Sequence, residues 1–342
     1  MDKVMFSKVH EFVGLMLSDL ENSRIPAYNK ENDYCKMEKR GKTAPPFMEK
    51  GTVIGIKNNY RIEKLVGGGG FGQIYRAIDL ESKIVVAVKV EPKSSESARL
   101  VLELKILLLL NNCPHTPKVY CSGEYGEYNF IIMQMLGKNV GDIRKKQRSR
   151  SLSVLATVRI GIQVVECLRQ VHSLGYIHRD VKPSNICIGI GENRRVAYVV
   201  DFGMARKIRG ADGKFRPERA YASFRGTTRY VSVTAHERKE QGFVDDLWSL
   251  FYSLVELSEG LPWKNVVDQD EVCVAKRLFL KTYRVKKFSQ EFELFPQILE
   301  RTRRTDIPDY DKLISILKES TTIYDDSCEF EWDTTDDSIE WF

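Results

Sequence analysis

A chain of 342 residues with 42% hydrophobic and 29% charged positions suits one large two-lobed unit or two ordinary domains, and it reads as soluble and globular. Even the apolar run ILLLL at 106–110 is far short of the roughly 20 residues that a membrane span needs. The net charge of +6 hides an asymmetry: residues 324–342 hold eight acidic and no basic residues, and the rest, with 53 basic and 39 acidic residues, carries +14.

In chain order, MDKVMFSKVHEFVGLMLSDL places Val9, Phe12, Val13, Met16, Leu17 and Leu20 at helical spacing. It lacks the apolar core and cleavage site of a secretory signal, so it reads as an amphipathic helix docked on the protein's own body. Residues 21–50 are polar and basic and read as a linker, which makes 1–50 an N-terminal helix with a basic connector. From 51 onward the text is strand-like: YRIEKLV, QIYRAID and KIVVAVKVE, with β-branched residues between short polar breaks. A leucine-rich helix at about 94–111 interrupts it, and a strand pair follows near KVYCSGEY and YNFIIMQML. Beyond about 141 helical text dominates, in VLATVRIGIQVVECLRQVHSLG and in the mostly apolar DDLWSLFYSLVELSEG. The fold class is α+β, a small β-rich lobe followed by a larger helical one. The seven cysteines are odd in number and form no C-x-x-C pair, which indicates reduced thiols rather than a disulfide framework or a zinc site. The basic cluster IRKKQRSRS (143–151) has no interleaved aromatics and reads as a solvated loop, with no nucleic-acid partner.

The stretch VGGGGFGQIY (66–75) meets G-x-G-x-x-G with Gly67, Gly69 and Gly72. A Walker A loop is excluded, because Gln73-Ile74 stands where Lys and Ser/Thr are required. A dinucleotide turn requires QIYRAIDLESK to be a helix, with Glu91 as the ribose-binding acid. A phosphate-covering hairpin requires the same residues to be a strand, with Lys89 on the next one. These residues alone leave the last two alternatives open.

The downstream text decides between them. YIHRDVKPSNICI (176–188) contains H-R-D-x-x-x-x-N as His178, Arg179, Asp180 and Asn185, and VVDFGMAR (199–206) contains D-F-G as Asp201, Phe202 and Gly203. With the glycine loop and Lys89 upstream, the chain resembles a eukaryotic protein kinase from about 60 to 320, with a bilobal fold. The resemblance implies an N-lobe at 51–137, a C-lobe at 138–320, and an acidic aromatic tail at 321–342. It implies ATP and Mg²⁺ as cofactors, because phosphoryl transfer is mostly positioning and charge compensation. Asp180 would orient the attacking hydroxyl, Lys182 would stabilise the moving phosphate, and Asn185 and Asp201 would supply hard oxygens to the metal. Lys89 would contact the phosphates, held by Glu103. Val66, Gly67, Gly69, Phe71, Gly72 and Ile74 would cover the nucleotide. Ala87 and Cys187 would form the roof and floor of the adenine pocket, Met133 its gatekeeper, and Gln134 to Leu136 its hinge.

The stretch FRGTTRYVSVTAHERKE (224–240) stands where most kinases carry A-P-E, and it is similar to the casein kinase 1 group. VGGGGFGQIY, HRDVKPSN, FRPER before FRGT, and DDLWSLFYSLVE look most like the tau-tubulin kinase branch. That resemblance implies that Thr227 contacts Asp180 and Lys182, and that Asp246 ties down the HRD loop. It also implies that Arg229 and Lys264 favour protein substrates with acidic or phosphorylated Ser/Thr sites. Arg179 beside Asp180 could receive a phosphorylated Ser223, Thr227 or Thr228, but the group generally acts without that step, so activity is expected without phosphorylation. The expectation is a monomeric Ser/Thr kinase, cytoplasmic or nuclear, without membrane attachment. The alternative is a catalytically silent pseudokinase that binds ATP or acts as a scaffold. The acidic tail either occupies the basic substrate groove or docks on the large lobe.

Overall fold

Residues Gln73–Asp79 form a strand in the computed structural model of the chain because they alternate: 73, 75, 77 and 79 are buried and those between them are half-buried. The structure describes residues 47–55, 57, 59–68, 72–93, 99–282 and 284–332. The N-terminal helix, the linker up to residue 46, Gly69, Phe71, and the last ten residues with Trp341 and Phe342 lie outside the described residues.

The described chain divides into two compact units. The first runs to Asn111 and resumes over Pro117–Met135. It holds strands β1 (Val53–Ile54), β2 (Tyr60–Gly68), β3 (Gln73–Asp79), β4 (Val85–Pro92), β5 (Val119–Tyr125) and β6 (Tyr128–Gln134), with helix α1 (Arg99–Leu109). The strands form one sheet in the order β1-β2-β3-β4-β6-β5, antiparallel at every pairing. Gly67 pairs with Ile74 and Gly68 with Gln73, so QIYRAID is a strand paired with β2 and the dinucleotide helix is excluded. The last residues of the stretch read as linker belong to this unit's core. Met48 is buried and donates its N–H to the Tyr75 hydroxyl at 3.1 Å, and the Phe47 ring stacks on Tyr128 at 5.0 Å.

The second unit comprises Asn112–Thr116 and the chain from Leu136 on. Its helices are α2 (Val140–Lys146), α3 (Val154–Ser173), α4 (Val233–His236), α5 (Phe243–Ser258), α6 (Gln269–Thr282), α7 (Leu294–Arg301) and α8 (Tyr310–Glu319). Four short strands form two antiparallel pairs, β7 (Tyr176–Ile177) with β10 (Arg206–Lys207), and β8 (Ile186–Ile188) with β9 (Ala197–Val199). Ser153 caps α3 by accepting the Ala156 N–H at 3.1 Å, and the helix packs on α5 and α8. Every residue of α5 except Trp248 is buried, so this helix is the spine of the unit. Part of the basic cluster is ordered as helix: residues 143–146 form the last turn of α2, which Asn139 caps.

Tail residues 324–332 lie against the start of α3. Phe330 and Trp332 are buried and stack at 4.4 Å, and Glu331 accepts the Ser153 N–H at 2.5 Å. A carboxylate at that helix N-terminus complements the helix dipole. No helix among the described residues is long and apolar enough to cross a membrane.

Candidate active site

In the sheet unit, strand register assembles one row. Gly67 opposes Ile74, Ile74 opposes Lys89, and two residues along β4 Ala87 opposes Met133. Successive residues of a strand face opposite sides, so Ile74, Ala87 and Lys89 share a face. Lys89 Nζ lies 2.5 Å from Glu103 Oε2, whose side chain is only 4% exposed. Glu103 stands on the buried side of α1 among Leu100, Leu104 and Leu107, where an unpaired carboxylate would be costly. Gly72 has a packing reason to be glycine: a Cβ there would meet the Val90 carbonyl oxygen at 2.6 Å. Gly67 has none, since its Cβ would sit at an ordinary 3.6 Å from Ile74. Val66 and Gln134 are half-buried at the ends of β2 and β6.

In the helical unit, Asp180 is buried and its carboxylate is the centre of a triangle. Thr227 Oγ1 donates to Oδ1 at 2.7 Å, Lys182 Nζ donates to Oδ2 at 2.6 Å, and Lys182 also donates to Thr227 Oγ1 at 2.9 Å. The Asn185 amide nitrogen donates to the Asp180 carbonyl at 3.0 Å and to Oδ2 at 3.2 Å, which commits the nitrogen of that amide and not its oxygen. Asp246, at the start of α5, receives the N–H groups of His178 at 2.7 Å and Arg179 at 2.8 Å, and His172 Nε2 at 2.9 Å. Burial opposes charge on Asp246, but these donors outweigh it and hold the carboxyl below the usual range. His178 accepts the Asp180 N–H at Nδ1 and reaches the Val200 carbonyl through Nε2 at 3.1 Å, so its proton sits on Nε2. The same ring meets Phe202 edge-on at 4.8 Å. His178 therefore braces both the Asp180 loop and the Asp201 loop.

Arg179 and Asp201 both take left-handed backbone, with φ of 68° and 67°. Such strain in non-glycine residues persists where the surroundings over-determine it, and it clusters at functional sites. Among the described residues no three His, Cys, Asp or Glu side chains form a metal cage. Mg²⁺ fits nonetheless, because it takes one or two protein oxygens alongside phosphates, and Asn185 and Asp201 are donors of that kind.

Arg179 donates Nε to the Met204 carbonyl at 2.6 Å. Burial, with Arg206 and Arg225 nearby, draws its guanidinium down to about 10. Arg206 and Arg219 both pair with the buried Glu240, an internal carboxylate within this basic group. Arg229 is engaged within the protein: NH1 reaches Glu256 at 3.2 Å and NH2 reaches the Lys264 carbonyl at 2.6 Å, with the side chain 39% exposed. The Lys264 side chain is exposed. Leu136 and Cys187 are half-buried, and burial pushes the Cys187 thiol up to about 12.

Sequence reading missed His172 and Glu256. Glu256 gathers Arg144, Arg229 and the Tyr230 hydroxyl. His172 stands in no motif, Glu256 only closes the stretch DDLWSLFYSLVE, and only the fold brings their partners to them.

The bracing of Asp180 and the Lys89–Glu103 pair define a phosphotransferase of the protein kinase kind. Residues 60–321 match the protein kinase domain family. A Dictyostelium discoideum protein described as a probable serine/threonine-protein kinase is 36% identical over 83% of this chain and 58% of its own length. A Caenorhabditis elegans protein that carries the name of a casein kinase I is 37% identical over 76% of this chain and 79% of its own. The serine/threonine-protein kinase spe-6 of the same organism is 31% identical, over 78% and 72%. The chain belongs to the protein kinase family, as an ATP-dependent serine/threonine member related to casein kinase I-like and other serine/threonine kinases.

Proposed function

We propose that this chain is a catalytically active Ser/Thr kinase of the casein kinase 1 group, from its tau-tubulin-like branch, and that it favours acceptors flanked by acidic or phosphorylated residues. The observation that carries the catalytic reading is the Asp180–Thr227–Lys182 triangle, since a silent scaffold has no need of a buried carboxylate held at both oxygens. Bound Mg²⁺-ATP supplies the γ-phosphoryl group and the charge compensation. Lys89, fixed by Glu103, would bind the phosphates from the sheet unit. Asn185 and Asp201 would hold the cation. Asp180 would take the proton of the incoming hydroxyl, while Lys182 offers a compact positive charge to the phosphoryl group in transit. Val66, Gly67, Gly69, Phe71, Gly72 and Ile74 would cover the nucleotide, with Ala87, Met133, Gln134, Leu136 and Cys187 around the adenine.

The group assignment is supported by FRGTTRYVS in place of A-P-E and by the relative named as a casein kinase I. The acidic preference is supported by the +14 body and by the arginines around Arg179. Arg229 and Lys264 are the further candidates, with Arg229 already paired to Glu256. Catalysis is assigned to residues 51–320 of a monomer working in the cytoplasm or nucleus.

The test is phosphate transfer to casein by wild type and Asp180→Asn. Removing the base lowers kcat by about 10²–10⁴-fold. Equal, background-level transfer by both proteins would leave the silent alternative standing. Paired peptides with acidic or basic residues around one serine test the preference, and equal kcat/KM for the two would refute it.

A further inference from the structure

Lys276, on α6, is completely buried, a rare place for an ammonium. Its Nζ donates to the Thr228 carbonyl at 2.8 Å and the Val231 carbonyl at 2.5 Å, and it lies 3.1 Å from His236 Nε2. Burial and the Lys276 charge pull His236 down to about 4, so that nitrogen is a lone-pair acceptor at neutral pH. All three ammonium hydrogens thus meet uncharged acceptors, under the rings of Tyr252 at 5.0 Å and Trp263 at 5.8 Å. Burial draws Lys276 down to about 7, against an opposing pull from Cys273. An apolar side chain of similar length would fill this position at lower cost. What the lysine nitrogen can do here, and an apolar side chain cannot, is grip two main-chain carbonyls three residues apart.

Those carbonyls belong to the segment that directly follows Thr227. Trp263 Nε1 holds a third carbonyl of the segment, that of Arg229, at 2.9 Å. Inside the turn, the N–H groups of Tyr230 and Val231 return to the Thr227 carbonyl at 2.8 and 3.1 Å. Upstream, Gly226 has φ 107°, and a Cβ there would meet the Arg179 carbonyl oxygen at 2.6 Å. Residues 226–231 are therefore clamped at both ends, with the Thr227 hydroxyl pointed at Asp180 between the clamps. On the kinase reading, an acceptor hydroxyl bound for Asp180 would arrive beside Thr227, which donates to that carboxylate.

We propose that Lys276, assisted by Trp263, is a positioning residue for the phosphoacceptor: it fixes the main chain of residues 228–231 and, through it, Thr227 against Asp180. The proposal rests on the kinase reading above. Geometry that fixes an acceptor tells on the peptide and not on the nucleotide. The test is steady-state kinetics of Lys276→Met with an acidic serine peptide and with ATP varied separately. The expected result is a peptide KM raised about tenfold and kcat lowered about tenfold, with the KM for ATP within about twofold of wild type. A merely structural lysine would lower kcat through the folded fraction and leave both KM values in place, and that outcome overturns the proposal. Should Lys276→Met fail to fold, Trp263→Phe is read in the same assay: a peptide KM raised about threefold supports the clamp, and an unchanged one overturns it. Absence of transfer by wild type would instead sink the kinase reading. The clamp is then judged by hydrogen exchange at amides 227–231, which the variants must accelerate at least tenfold.

Discussion

Arg159 holds Phe330 beneath its guanidinium, with Cζ 4.0 Å from the ring centroid, and donates to the carbonyls of Cys328 at 2.6 Å and Asp326 at 2.7 Å. Residues 324–332 are thereby fastened to α3, which serves the packing of the helical unit. A charged donor on a carbonyl contributes about 1.5–3 kcal/mol, and a partly desolvated cation–π contact about 1–2. Arg159→Ala should cost about 2–4 kcal/mol in urea unfolding. Truncation after residue 323 should lower Tm and leave kcat/KM on acidic peptides within about twofold. A truncated chain more active than that would mean that the tail inhibits.

The Lys89–Glu103 pair yields a second prediction. Glu103→Gln keeps the shape and removes the charge that holds Lys89. Losing one preorganised electrostatic group costs about 10²–10³ in kcat, so transfer to peptide should fall in that range with weaker nucleotide binding. Asp180→Asn should keep nucleotide affinity, because the proposed role of that carboxylate is toward the acceptor hydroxyl and not the nucleotide. Calorimetric titration with a non-hydrolysable ATP analogue separates the two, and equal affinities for both variants would contradict this division of roles.

How much of this was legible in the sequence depends on what each residue binds. Lys89, Asp180, Asn185 and Asp201 stand in motifs whose spacing survives translation into strands and loops. Glu103 was readable as a carboxylate on the leucine-rich helix preceding the next strand pair. The β2–β3 hairpin was left open by its own residues, because Ile74, Ala77 and Ile78 also suit a helix, and only the pairing of β3 with β2 and β4 decides it. Lys276, Trp263 and Arg159 were invisible, since each binds main-chain carbonyls and a carbonyl has no letter of its own. One trace existed: Val272, Lys276 and Phe279 fall at helical spacing and are all buried, which sets a lysine within an apolar stripe. Asp246 was readable by resemblance, but its third donor His172 was not.

Two adjacent carboxylates should titrate in opposite directions. Burial raises Asp245 to about 6, against donors that include the Gly242 N–H at 2.6 Å, and its Oδ1 is without a hydrogen-bond partner. Between the unfolded value near 4 and the folded value near 6, the native state binds the extra proton, so its stability falls as pH rises through that window. Asp246 has a depressed folded value, so its contribution is present at neutral pH and is lost only as pH falls below the ordinary carboxylate range. Asp245→Asn should therefore gain on wild type between pH 4 and 7, by at most about 3 kcal/mol. Asp246→Asn should be strongly destabilised at pH 7, by about 3–5 kcal/mol, because three donors lose their anion. Urea unfolding at pH 4.5 and 7 measures both, and a stability gap between wild type and Asp245→Asn that does not change with pH would show that Asp245 has its ordinary affinity for protons.

The glycine run divides into a structural and a functional part, which gives the last prediction. At Gly72 a methyl group would push into the Val90 carbonyl oxygen at 2.6 Å and the Glu91 Cγ at 2.8 Å. Both belong to a paired central strand that cannot retreat without breaking the ladder. Gly72→Ala should therefore cost about 1–3 kcal/mol, as overpacking does, whether or not nucleotide is present. At Gly67 the added methyl meets only Ile74, at ordinary contact distance, and the backbone has no positive φ that would be strained. Gly67→Ala should melt within about a degree of wild type, since ordinary surface substitutions change stability by less than about 0.5 kcal/mol. Its effect should appear in the KM for ATP, raised several-fold, because this glycine shares its face with Lys89 and is proposed to let main chain approach a phosphate. Thermal melts and ATP titrations of the two variants decide the matter: equal loss of Tm at both positions, or an ATP KM unchanged at Gly67, would show that the run is wholly structural.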